Sequence, residues 1–114
     1  MRIPAAFLRS RGRWLRCKLT GAAATAYLQL HTGDPGAAGT SNQATTTTRK
    51  SATFANNRNT SAVRWTGVND GETVAWLSAW DAATNGNLLG KGKLASPVAE
   101  RGTPITFNKG TITY

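Results

Sequence analysis

Short stretches in which apolar and polar residues alternate, each cut off by Gly, Pro, Asn or Asp, recur about every ten residues through most of this chain. That rhythm leaves little choice of fold. Apolar residues at every second position make one face of a β-strand, and closely spaced turn residues keep each strand short. The first such stretch is Tyr27 to Thr32, where Leu28 and Leu30 alternate with Gln29 and His31, and Gly33-Asp34-Pro35-Gly36 ends it. Residues 37–48 are small and polar and read as an extended surface loop. Arg49 to Phe54 reads as a second strand with Ala52 and Phe54 inward, Asn56 to Asn59 as a turn, and Ser61 to Thr66 as a third strand with Val63 and Trp65 on one face.

Thr73 to Trp80 is apolar at nearly every position, which suits a strand covered on both sides and placed centrally in its sheet. Asp81 to Asn87 is a turn, and its Asn85-Gly86 pair favours positive φ. A further strand runs near Leu88 to Leu94, with Ser96-Pro97 opening a loop after it. Thr103 to Phe107 begins a last extended segment, which Thr111 to Tyr114 resumes beyond a turn at Asn108-Lys109-Gly110. Composition agrees: 17 Thr and 12 Gly against one Met argue against an all-α fold. The expected fold is all-β, a small antiparallel β-sandwich or barrel of six to seven short strands, occupying residues 22–114.

The remaining residues, 1–21, differ in character. Arg2, Arg9, Arg11, Arg13, Arg16 and Lys18 place six of the 14 basic residues ahead of the first acid, Asp34, so this segment supplies most of the net charge of +9. Arginines interrupt every run that could serve as the apolar core of a secretory signal. An organellar transit peptide fits the Arg-rich, acid-free composition, but nothing else in the chain points to an organelle. The remaining reading is a short basic helix or arm that docks on the body or on a partner. On a helix Phe7, Trp14 and Leu15 share a side, with Leu8 at its edge, and Arg9, Arg13 and Arg16 lie opposite; Arg11, Lys18 and Gly12 weaken the pattern.

No catalytic or metal site emerges. His31 is the only histidine and Cys17 the only cysteine, so an intrachain disulfide, a two-His metal site and a CxxC pair are all impossible. None of the six serines sits in a GxSxG turn, and the five acids show no paired spacing on one element. His31 is expected to be an ordinary strand residue, facing outward or capped by a neighbour. Gly90-Lys91-Gly92-Lys93 has the lysines for phosphate, but alternate glycines in a strand more often mark a bend or a close backbone approach. No cofactor and no enzymatic activity is expected. No apolar run reaches the roughly 20 residues of a membrane-spanning helix, and a soluble protein is expected. Basic charge and four Trp keep nucleic-acid binding in view, yet Trp65, Trp76, Trp80, Phe54 and Phe107 occupy strand positions that suit a core better than a base-stacking platform.

The order of segments carries a resemblance. Leu30-His31-Thr32-Gly33-Asp34-Pro35-Gly36 and Trp80-Asp81-Ala82-Ala83-Thr84-Asn85-Gly86-Asn87-Leu88-Leu89, with Arg49 to Phe54 and Ala62 to Trp65 between them, resemble a family of small phage virion proteins over residues 22–114. Members are labelled tail fibre or minor tail proteins, and similar small β-proteins are described as capsid decorations. The resemblance implies a non-enzymatic structural protein of the phage particle that contacts major capsid or tail proteins, and the small size of the chain favours a homo-oligomer, a trimer being common where such proteins sit on threefold positions. The expected partner contacts are Arg9, Arg11, Arg13, Trp14, Arg16 and Lys18 on the basic segment. The second reading is a receptor- or carbohydrate-binding module on a tail, using loops 33–48 and 56–60, and the third a small nucleic-acid-binding domain.

Overall fold

The structure, a computed structural model, describes residues 6–7, 9–10, 24–44, 47–55, 58–65, 73–99 and 105–113. Over these residues the chain is all-β. The strands are β1 (Ala6–Phe7), β2 (Arg9–Ser10), β3 (Ala24–His31), β4 (Lys50–Ala55), β5 (Arg58–Asn59), β6 (Val63–Trp65), β7 (Thr73–Trp80), β8 (Leu88–Ala99), β9 (Ile105–Phe107) and β10 (Ile112–Thr113).

Six of them form an antiparallel sheet in the order β10-β5-β4-β3-β7-β8, curled into a half-barrel. The first strand bridges its two edges: β1 runs parallel to β10, with Ala6 opposite Ile112, and antiparallel to β8, with Ala6 opposite Leu94. β2 continues along β8, with Arg9 opposite Lys91. A separate two-stranded sheet, β6 with β9, pairs Val63 with Phe107 and Trp65 with Ile105.

Alternation builds the core. Ala26, Leu28 and Leu30 of β3 and Ala52 and Phe54 of β4 face inward. In β7 the inward residues are Val74, Leu77 and Ala79, and the change from even to odd positions coincides with a register shift against β8 between Val74 and Trp76. Such a bulge re-aims the following side chains and sharpens the local twist, which helps the sheet to curl. The small sheet contributes Val63, Trp65, Ile105 and Phe107 to the same cluster. Trp65 and Phe107 meet edge to face with centroids 5.9 Å apart, and the Trp65 indole N–H donates to the Thr48 carbonyl at 3.0 Å.

The crossing between the two sheets is held by one amide. Asn59 of β5 is almost wholly buried and donates through Nδ2 to the carbonyls of Ser61 and Asn108, while its Oδ1 accepts from the Ile112 N–H. These bonds tie β5, the turn after β9 and the start of β10 together.

The central placement of residues 73–80 and the strands at Val63–Trp65 and Lys50–Ala55 match the alternation read from the sequence. Four details differ. Arg58–Asn59, expected in a turn, pairs between β4 and β10. Residues 112–113 do not resume β9 but cross into the large sheet. The eighth strand continues through Ser96 and Pro97 to Ala99, opposite Thr73 and Val74. At the N-terminus the backbone at Ala6–Phe7 and Arg9–Ser10 is extended and paired, not helical, because open sheet edges offer it ladder hydrogen bonds.

Candidate functional site

Opposite the core face, β3 and β7 carry a polar layer, and the loop 32–44 closes over it. The loop's ends are bonded to the strand: Thr32 N donates to Asn42 O and Ala44 N to Leu30 O, and His31 and Gln43 form a bridge. Within the loop Asp34 Oδ1 accepts from Gly36 N at 2.9 Å and from Lys91 Nζ at 2.6 Å, which fastens the tip to β8. Lys91 bonding and a backbone donor hold the Asp34 carboxyl below its usual range. Gly39, at φ 76°, sits so close to Leu88 and Trp80 that a Cβ there would lie 2.7 Å from a Leu88 methyl carbon.

Beneath the loop His31 is fully buried. Its Nδ1 faces the Ser41 carbonyl at 2.9 Å, and a carbonyl only accepts, so the proton resides on Nδ1. Nε2 is therefore the acceptor for the Ser78 hydroxyl at 2.7 Å, and Ser78 Oγ accepts in turn from the Trp80 indole N–H at 2.8 Å. Burial pushes the imidazole pKa below its ordinary value, in keeping with a neutral ring. A Ser–His contact at this distance is the geometry of a base-activated nucleophile. Here both side chains are fully buried and the hydroxyl is bonded on two sides, so the pair serves as an internal strut between loop and sheet. The sequence reading left His31 either outward-facing or capped by a neighbour; the ring is buried, and its partner Ser78 lies 47 residues away.

Arg49, just ahead of β4, pins a second loop. Its Nε donates to Gln29 Oε1 at 3.2 Å, its Nη1 donates to the carbonyls of Ala82 at 2.9 Å and Asn85 at 2.7 Å, and the guanidinium carbon lies 4.0 Å from the centroid of the Trp80 ring. A cation over Trp is attracted by the ring's negative face. Partial desolvation lowers the Arg49 pKa and Asp81 opposes that shift; the group stays charged. The turn it grips is closed internally by Asp81, whose two carboxylate oxygens accept from Asn87 N and Asn87 Nδ2, with Asn85 and Gly86 both at positive φ.

Between these two pinned loops lies a groove of about 510 Å³, lined by Gln29, Gln43, Thr47, Thr48 and Arg49 on one side and by residues 83–85 on the other. Its walls are amides, hydroxyls and one cation. Among the described residues no cluster of three or more His, Cys, Asp or Glu side chains could hold a metal, and no helix is long and apolar enough to cross a membrane.

Of the expected partner-binding residues, Arg9 lies on β2 beside β8. Arg11, Arg13, Trp14, Arg16 and Lys18, with Cys17, fall outside the described residues. The groove was not anticipated as a unit; loop 33–48 was singled out in the sequence, but Arg49 looked only like the start of a strand. Loop 56–60 is described at residues 58–60, which pair with β4 and lie away from the groove lining. Gly90 and Gly92 are buried in β8, paired with Ala79 and Leu77 of β7.

A half-barrel with no helix among the described residues, its long turns stapled by hydrogen bonds and an ion pair, is a β-module, and its two signature turns are structural elements. The family model for podophage GP4 fiber I protein gp80 matches residues 14–114, nearly the whole chain. The protein belongs to this phage fibre family, which makes it a structural component of the virion, as the two turn motifs implied. No curated protein gives a significant match.

Proposed function

We propose that the chain is a non-enzymatic fibre subunit that joins the phage particle as an oligomer, through protein–protein contacts made by its basic N-terminal segment, residues 1–21. The observation that carries this reading is the family match over residues 14–114, a fibre family spanning all of β3 to β10. Family membership implies contact with other virion components. The concentration of Arg9, Arg11, Arg13, Arg16 and Lys18 ahead of the body favours an acidic surface on that partner, reached by long-range attraction. Arg9, Arg11 and Arg13 precede the family-matched region, whereas Trp14, Arg16 and Lys18 lie inside it. That division suits a family-wide seat at 14–21 with an added basic extension. Self-association would supplement the thin core of a domain this small.

Removal of residues 1–18 is the test. The expected result is a folded body, judged by circular dichroism and amide NMR dispersion, that no longer enters particles in a phage complementation assay. A truncated chain incorporated at the wild-type level would overturn the proposed attachment. Reversal of Arg11, Arg13 and Arg16 to Glu is expected to reduce incorporation as well, without removing any chain from the sheet.

A further inference from the structure

We propose that the groove lined by Gln29, Gln43, Thr47, Thr48, Arg49 and residues 83–85 binds an acidic saccharide, with the carboxylate on Arg49 and the ring hydroxyls on the surrounding amides and threonines. The inference concerns a different surface from the basic segment and goes beyond a role in attachment.

Three observations select this class of ligand. First, at about 510 Å³ the groove falls within the range of small-molecule sites, roughly 300–1,000 Å³. Its lining is hydrogen-bonding side chains with Ala83 as the single apolar residue, so an apolar ligand gains little there. Amides and hydroxyls each both donate and accept, which is what a polyhydroxylated ring requires. Second, the one charge in the lining is positive and no Asp or Glu lines it among the described residues. Arg49 spends three of its five N–H donors on Gln29, Ala82 and Asn85, and its Nη2 pair has no protein acceptor among the described residues. With Nε and both Nη1 hydrogens engaged, Nη2 can offer a carboxylate one charge-assisted hydrogen bond. Third, Arg49 is already held by those bonds and by Trp80, so binding there costs little additional side-chain ordering.

The same geometry sets the selectivity. Trp80, which could have stacked on a sugar ring, is 6% exposed and covered by Arg49. Recognition therefore rests on charge and hydrogen bonds, and a neutral sugar loses the Arg49 contact.

The full chain, labelled with ¹⁵N, can be titrated with D-glucuronate, with D-glucose as the neutral control and acetate as the carboxylate-only control. Glucuronate is expected to shift the amide resonances of residues 47–49 and 83–85, with affinity at least about tenfold above either control, and to weaken as salt rises. Gln43→Ala and Thr84→Ala, which leave the Arg49 bonds in place, are each expected to weaken glucuronate about threefold to tenfold. Equal shifts with glucose or acetate, shifts located elsewhere on the sheet, or variants that bind as the wild type does would overturn the proposal. Because the titration uses isolated protein, its outcome is independent of particle incorporation.

Discussion

At the scale of single residues, two buried polar side chains do work that an apolar core cannot. His31 sits neutral in a bonded chain running from Trp80 through Ser78 to Ser41, so protonation would place a second donor against a hydroxyl that now donates to it. The folded state holds the His31 pKa below the ordinary 6.5, so the unfolded chain takes up the proton first as pH falls. Stability is thus complete above about pH 6.5, declines as pH drops through that value, and levels off below the folded pKa. Urea unfolding measured from pH 8 to pH 5 should show this decline, and His31→Gln should flatten it; an unchanged profile in that variant would refute the assignment. Asn59 is the other case. Replacing it with Leu leaves the buried Ile112 N–H unpaired and takes from the Ser61 carbonyl its Asn59 donor, while the Asn108 carbonyl keeps Thr111, with an expected loss of about 1–3 kcal/mol by denaturant titration. Neither role was legible in the sequence. An isolated His in an alternating strand looks solvent-facing until a loop is folded over it, and an Asn among Asn57, Arg58 and Thr60 looks like turn chemistry.

At the scale of elements, the two long turns were legible as turns because Gly33 to Gly36 and Asn85-Gly86 carry the residues that positive φ and backbone capping demand. That loop 32–44 is a cover for a polar layer was not legible, since a small polar segment has no periodicity to show which residues face in. Gly39 is the point where loop and sheet touch most closely. Gly39→Ala meets both a positive φ and contacts below 3 Å to Leu88 and Trp80, with an expected cost of about 1–3 kcal/mol in thermal unfolding. Crowding at this position lifts the cover, so the Trp80 fluorescence should also become more accessible to a soluble quencher. Strand β7 illustrates the opposite situation. Its continuous apolar run predicts cover on both faces, and it has the core on one and the loop 32–44 on the other. The bulge that shifts its inward positions from Val74 to Leu77 is a matter of register with β8, which no local pattern encodes.

At the scale of the whole molecule, the half-barrel is completed by residues far apart in the chain. Ala6 and Phe7 lie between β10 and β8, and the pairing is short. Deleting residues 1–10 is therefore expected to leave the body folded but to speed hydrogen exchange at Leu94 by about tenfold or more, with Leu28, Leu77 and the Asn59-bonded Ile112 much less affected, as amide exchange by NMR would report. The all-β class and the central strand were readable from alternation; the strand order was not, because a two-residue strand such as β5 or β10 acquires its conformation from neighbours more than from its own sequence. The pairing of Ala6 with Ile112 has one more consequence, and it is kinetic. A ladder joining residues that distant is expensive in loop closure and belongs to the slowly folding, milliseconds-to-seconds class of topologies. During synthesis, a nascent chain still lacking residues 112–113 cannot form the seam between β1 and β10, so β5 remains a bare edge until translation has passed that point. The time between those two events is when this subunit is most exposed to pairing with its own copies, and the rate of translation over its last strands will affect how much of it reaches the particle.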